Sequence, residues 1–172
     1  MNDLTTYEAV KDQMRTGDGI GYYSHSIIGR IIAWRTKHYG PILHSHWGGI
    51  IRLPSVEDGG KRRFTMEATE TGFQLRLFSS VLATYKGEVW WYPLKDEFNS
   101  RREEIKKDAF SLLGKKYDWL SLFKQALFSV STDTRRLFCS EAWQIIYGVY
   151  GKALPPSGMH SLGIFKPPIK LI

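Results

Sequence analysis

The chain holds one cysteine, Cys139, and five histidines: His25, His38, His44, His46 and His160. A single thiol can form no intramolecular disulfide and no cysteine-rich metal site, so it is either a nucleophile or a buried core group. It stands in RRLFCSEAWQII, where a polar stretch turns into an amphipathic helix with Ala142, Trp143, Ile146, Val149 and Tyr150 on one stripe. Near a helix start the unpaired backbone N–H groups and the helix dipole favour a thiolate, lowering the pKa from its free value of about 8.5. Free cysteine is equally one of the most buried residue types, and position alone does not separate the two roles.

A cysteine nucleophile needs a base, and the base needs a group to orient it. His46 opens the strand-like segment HWGGIIRL, residues 46–53, and Glu67 lies in a second, RRFTMEAT, residues 62–69; the turn-forming PSVEDGGK between them predicts a hairpin. With the loop centred so that Leu53 faces Gly60, His46 lies directly across from Glu67. On that register His46, Gly48, Ile50 and Arg52 share a face with Glu67, Thr65 and Arg63, while Trp47, Ile51, Leu53, Phe64 and Met66 make the opposite face apolar. Gly48 then leaves room for the helix end carrying Cys139, and a slip of two residues would make His46 and Glu67 diagonal neighbours. A carboxylate facing an imidazole fixes its tautomer and stabilises the imidazolium. A half-solvated histidine beside a solvated glutamate accounts for the spacing equally well. His44, two residues earlier, competes for the role of base.

The remaining elements must position these residues. LTTYEAVKDQMR predicts a leading helix over 4–15, and GDGIGYYS a strand after the turn at Gly17-Asp18. In SIIGRIIAWRTKHYG the apolar Ile27, Ile28, Ile31, Ile32 and Trp34 fall near helical spacing with Arg30, Arg35 and Lys37 between them, giving an amphipathic helix that ends near Gly40-Pro41. GFQLRLF and EVWWYPL, residues 88–94, read as two more strands. Ser100 with Glu103 fits a capping box ahead of Ile105, Ala109, Leu112 and Leu113, with Gly114 as the stop. YDWLSLFKQALF predicts a further helix before the one at Cys139, and a tail with four prolines in its last 18 residues predicts an extended surface path. Strands followed by helices make an α+β fold with a mainly antiparallel sheet.

Composition bounds the function. At 172 residues, 42% hydrophobic and 24% charged, the chain has the balance of a globular domain rather than a disordered or membrane-embedded one. No run approaches the roughly 18 apolar residues of a spanning helix. The opening MNDLTTYEAVKDQ has no basic stretch followed by an apolar one, so a cytoplasmic protein is expected. The net charge of +7 admits an anionic partner, but it is spread evenly: 11 basic and 8 acidic residues up to Lys86, 13 and 9 after it. A non-catalytic polyanion binder would use Lys61, Arg62 and Arg63 and the run Arg101 to Lys107; a hairpin loop and a mixed-charge helix surface explain the same runs more simply, and no specific nucleic acid is expected.

The order SHWGGII, FTMEATETGF, GKKYD and FCSEAWQIIY, spanning Gly17-Asp18 to about Tyr150, resembles the circularly permuted NlpC-type papain-like cysteine hydrolases, in particular their YiiX-like branch. In papain and ordinary NlpC enzymes the cysteine helix precedes the histidine strand; in the permuted group the histidine and acidic residue come first, as here. The resemblance implies one papain-like α+β domain over residues 1–172, with Cys139 as nucleophile at a helix N-terminus, His46 as general base and then acid, and Glu67 orienting His46. It implies no cofactor and no metal, and an amide substrate: a peptide, an isopeptide or a peptidoglycan-like bond, cleaved through an acyl-thioester. Lipid esters are the alternative, since the lecithin-retinol acyltransferase-like branch shares the permuted order and the His-Trp pair, although its Asn-Cys-Glu-His motif is here Phe-Cys-Ser-Glu. Tyr117 and Asp118 match a recurring family segment, which a helix start would also explain. The backbone N–H of Cys139 is the expected oxyanion donor; Tyr22, on the first strand, and His44 are candidates for a further oxyanion or substrate contact. Specificity would lie in loops such as 36–45 and 129–137.

Overall fold

Six strands pair antiparallel throughout, in the order β4-β3-β2-β1-β5-β6. The computed structural model describes residues 2–53, 61–69, 71–114 and 137–172. The strands are β1 (Gly19–Ser24), β2 (His46–Ile51), β3 (Phe64–Thr69), β4 (Gly72–Leu77), β5 (Gly87–Tyr92) and β6 (Ile169–Lys170). The helices are α1 (Thr5–Val10), α2 (Ile27–Arg35), α3 (Phe78–Thr84), α4 (Arg102–Leu112) and α5 (Leu137–Ile146). The α+β class and antiparallel sheet expected from the element order are present. The predicted helix over YDWLSLFKQALF, Tyr117 and Asp118, the turn of the β2–β3 hairpin and most of loop 129–137 lie outside the described residues.

Both faces of the sheet are covered. On one, Trp47, Ile51, Met66, Phe73 and Tyr92 pack with Ile105 and Ala109 of α4 and with Ala142, Trp143 and Ile146 of α5. On the other, Ile20, Tyr22, Ile50, Val89 and Trp91 pack with Tyr7 and with Phe78, Val81 and Leu82 of α3. Helix α3 was missed by the sequence reading although Phe78, Val81 and Leu82 stand at helical spacing; the run follows a strand with no turn residue between them.

The β2–β3 register departs from the centred loop. Glu67 pairs with Gly48 and Ile51 with Phe64, a slip of two residues. Beyond Ile51 and Phe64 the chain is tied to the N-terminal segment: the Arg52 N–H donates to Thr16 Oγ1 at 2.9 Å, and the buried Arg63 guanidinium donates through Nε to the Met14 carbonyl at 3.1 Å.

Helix α5 reaches the sheet through Gly49, not Gly48. A Cβ on Gly49 would fall inside the Trp143 indole, whereas one on Gly48 would meet Thr65 Oγ1 at 3.1 Å on the opposite face. Trp143 Nε1 donates to the Met66 carbonyl at 3.0 Å, fixing the helix in height over β2 and β3. The expected stripe on this helix holds for Ala142, Trp143 and Ile146, all buried, and ends before Tyr150, which is 82% exposed.

The Gly17-Asp18 turn is a structural hub. The Asp18 carboxylate, 1% exposed, accepts from the Arg15 and Leu94 N–H groups, from Trp91 Nε1 and from Arg102 Nη1 at 2.8–3.1 Å, joining β1, β5 and α4. Arg102 is thus a helix-start anchor, and the capping box at Ser100 and Glu103 does not form: a 3-10 turn, Asp96–Arg101, runs into α4 without a side-chain cap, and Glu103 pairs with Lys106. The tail also differs from expectation. Pro156–Leu162 forms a 3-10 segment with Met159 fully buried, and β6 adds a strand to the sheet edge, because the tail's apolar residues find room against β2 and β5.

Gly49→Ala is expected to cost about 3 kcal/mol, the upper end for overpacking, and Gly48→Ala clearly less; urea unfolding of the two variants compares them directly.

Candidate functional site

Cys139 lies in the first turn of α5 and is 8% exposed. The backbone N–H groups of Trp47 and Ser140 and the His46 imidazole are near enough to its sulfur to favour the thiolate. One donor comes from the helix start and the other from the beginning of β2. The packing of Trp143 over Gly49 sets the first turn of α5 against that strand.

His46 is the first residue of β2. Its Nε2 hydrogen-bonds Glu67 Oε2 at 2.9 Å, and Nδ1 is the ring nitrogen left for the thiol. The slipped register makes the His46–Glu67 pair a diagonal one, a distance that a glutamate side chain spans. The other Glu67 oxygen, Oε1, accepts from Arg76 Nη1 of β4 at 3.3 Å. Glu67 is 4% exposed, so its charge is neutralised from two sides where water cannot do it. Arg76 was not singled out in the sequence; it falls beside Glu67 because β4 pairs Gln74 with Glu67, two residues from Arg76, a neighbour the hairpin alone cannot reveal.

The electrostatics of this cluster are strongly coupled. Burial disfavours a charged thiol, but the His46 charge and hydrogen bond and the two N–H donors outweigh it, and the Cys139 pKa falls below its ordinary value. Burial likewise disfavours an imidazolium, but Cys139 and Glu67 outweigh it and lift His46 to about 10. The two shifts are one interaction seen from both partners: a thiolate–imidazolium pair near neutral pH.

The other sequence candidates sit elsewhere. His44 precedes β2, so strand alternation does not carry it to the side of His46. It is fully buried, its Nε2 hydrogen-bonds Tyr92 Oη at 2.6 Å, and its backbone N–H and carbonyl both bond Ser157 Oγ. Burial, with His160 adding to it, pushes His44 down to about 3, so it is a neutral core ring. Tyr22 pairs with His46 across β1 and β2, its ring 5.4 Å away, but its hydroxyl is engaged by Thr65 Oγ1 at 3.0 Å and it is fully buried. It supports the imidazole from beneath.

The two basic runs are largely used in the fold. Arg63 is buried, Arg101 donates to the Tyr147 carbonyl and pairs with Glu104, and Arg102 pairs with Asp18. An open groove of about 590 Å³, lined by Ser24, His25, Ser26, Arg76, Tyr85 and Lys86 among others, adjoins the site through Arg76.

No family model and no curated protein matches the chain. Among solved structures, the fold is similar to that of the metalloprotein yiiX from Escherichia coli O157:H7, DUF1105, with a TM-score of 0.54, 23% identity, and coverage of 82% of this chain and 69% of that one. The likeness extends to the fold. The neighbour is described as a metalloprotein; among the described residues here no group of three His, Cys, Asp or Glu is arranged to hold a metal ion.

The ultraviolet absorbance of the thiolate is expected to persist in acid well below the free-thiol pKa of about 8.5. His46→Ala should return its appearance upward by at least about one pH unit, since the imidazolium supplies the leading stabilising interaction.

Proposed function

We propose that the chain is a cysteine hydrolase of the permuted NlpC-type, YiiX-like kind, one domain cleaving an amide of a peptide, isopeptide or peptidoglycan-like substrate. The observation that carries the reading is the Cys139 sulfur held between the His46 imidazole and two backbone N–H groups, with Glu67 on the far ring nitrogen. A buried core thiol needs none of these. The fold neighbour supports the fold half of the reading, and the chain order His46, Glu67, Cys139 supports the permuted half.

In the proposed reaction the Cys139 thiolate attacks the carbonyl carbon of the amide, forming a C–S bond and moving the carbonyl π electrons onto oxygen. The backbone N–H of Cys139 is the donor to the developing oxyanion. The tetrahedral intermediate collapses as the C–N bond breaks, and the leaving nitrogen takes the proton from the His46 imidazolium. Neutral His46 then accepts a proton from water, whose oxygen attacks the thioester. Collapse expels the thiolate, releases the acid and leaves His46 protonated again. Glu67 touches no reacting atom in this scheme; it is a positioning residue for His46.

Iodoacetamide at pH about 6 should alkylate Cys139 about tenfold faster than free cysteine; the gain stays below the ratio of thiolate fractions because nucleophilicity falls with pKa. Cys139→Ala should abolish hydrolysis, and His46→Ala should lower kcat/KM by at least about 100-fold. An inert Cys139, or hydrolysis that survives Cys139→Ala, would end the proposal. An amide and an ester of one acyl group, assayed in parallel, separate the amidase reading from the lipid-ester one.

The alkaline limb tests Glu67. His46 is raised above its ordinary value, so the imidazolium is fully present below about 6.5 and lost as pH rises through about 10. Glu67→Gln removes one of the interactions raising it, so the alkaline limb should move to lower pH while the fold, read by circular dichroism, is retained.

A further inference from the structure

Three large apolar side chains of α2 point outward. Ile27 is 78% exposed, Ile31 50% and Trp34 63%. Spaced four and three residues apart, they form one face of the helix. The opposite face is the one that packs: Gly29 lies against Ser24, Ala33 is fully buried, and Thr36 Oγ1 bonds Ser157 Oγ at 2.9 Å. Glycine, alanine and threonine thus face the body of the protein with Ile32 half-buried beside them, and two isoleucines and a tryptophan face solvent, where a core-seeking amphipathic helix keeps polar side chains.

The charges around the stripe identify its partner. At helical spacing Arg30 and Arg35 flank the stripe on either side, and Lys37 Nζ stands 5.7 Å from the Trp34 ring centroid. The sequence has no aspartate or glutamate between Gly19 and Val56. A face with an apolar centre, a tryptophan whose N–H can meet headgroups, and long cationic side chains on both edges complements the boundary of an anionic bilayer: apolar residues enter the acyl region while arginines reach back to phosphates. We propose that α2 docks the protein on an anionic lipid surface.

The docked helix would bring the groove to the membrane. Ser26 caps α2 by accepting from the Gly29 N–H, and Ser24, His25 and Ser26 line the groove together with Arg76 and Lys86. Substrate would then enter at the lipid surface. The docking itself does not depend on the reaction proposed for Cys139, and its test reads binding alone.

The full chain is sedimented with vesicles of phosphatidylcholine alone or with about one quarter phosphatidylglycerol. Binding is expected to the anionic vesicles only. Arg30→Gln with Arg35→Gln should weaken it at least about tenfold, since each cation near the surface contributes roughly a fivefold factor. Ile31→Ser with Trp34→Ser should weaken it by at least about tenfold through lost apolar burial. Tyr150→Ser, which removes an exposed aromatic on another face, should leave it unchanged. Both double variants alter solvent-exposed side chains, and circular dichroism confirms their folding. No binding to anionic vesicles, binding indifferent to the Ile31/Trp34 change, or a dimer in ultracentrifugation that the Ile31/Trp34 change dissolves would each overturn the proposal, the last by assigning the face to a second copy.

Discussion

The close approach of α5 to β2 governs the site. Trp143 lies over Gly49, where any side chain would displace it, and its indole N–H holds the Met66 carbonyl of the next strand. This contact fixes the helix in height and rotation, and with it the first turn carrying Cys139. The sulfur is then near the N–H of Trp47, which favours its thiolate. The large apolar residue and the small one facing it are as much a part of the candidate site as its charged groups.

On that scaffold the charges form a chain from thiol to solvent: Cys139, His46, Glu67 and then Arg76 at 46% side-chain exposure. Each member is stabilised by the next, and the two inner carriers, thiol and carboxylate, are almost wholly out of water. Burial makes every link stronger than it would be in water and makes an unpaired member costly. The diagonal geometry of His46 and Glu67 follows from the register that sets Glu67 opposite Gly48.

The charge balance separates into two uses. Arg63, Arg101 and Arg102 hold parts of the fold together through carbonyls and carboxylates. Arg30, Arg35 and Lys37 lie on a segment without a single acidic residue, beside side chains that would ordinarily be inside. A net charge read over the whole chain averages these two populations and hides the second.

What the sequence determined was local. Alternation and turn residues were enough for β1 to β5, the periodic stripe for α5, and the residue types Cys139, His46 and Glu67 in their order for the candidate chemistry. Long-range packing decided the rest. A one-dimensional pattern tells which residues are apolar but not which find a partner, so the tail reads as exposed and Gly48 as the gap that Gly49 provides. The register of β2 and β3 is two residues from the one a centred loop gives, which the hairpin's own sequence does not tell. His44 and His46, two residues apart and alike on paper, were separated by where β2 begins: one became a neutral ring in the core, the other a cation beside a thiolate. Hydrogen bonding and burial set those charge states, and both are properties of the assembled fold.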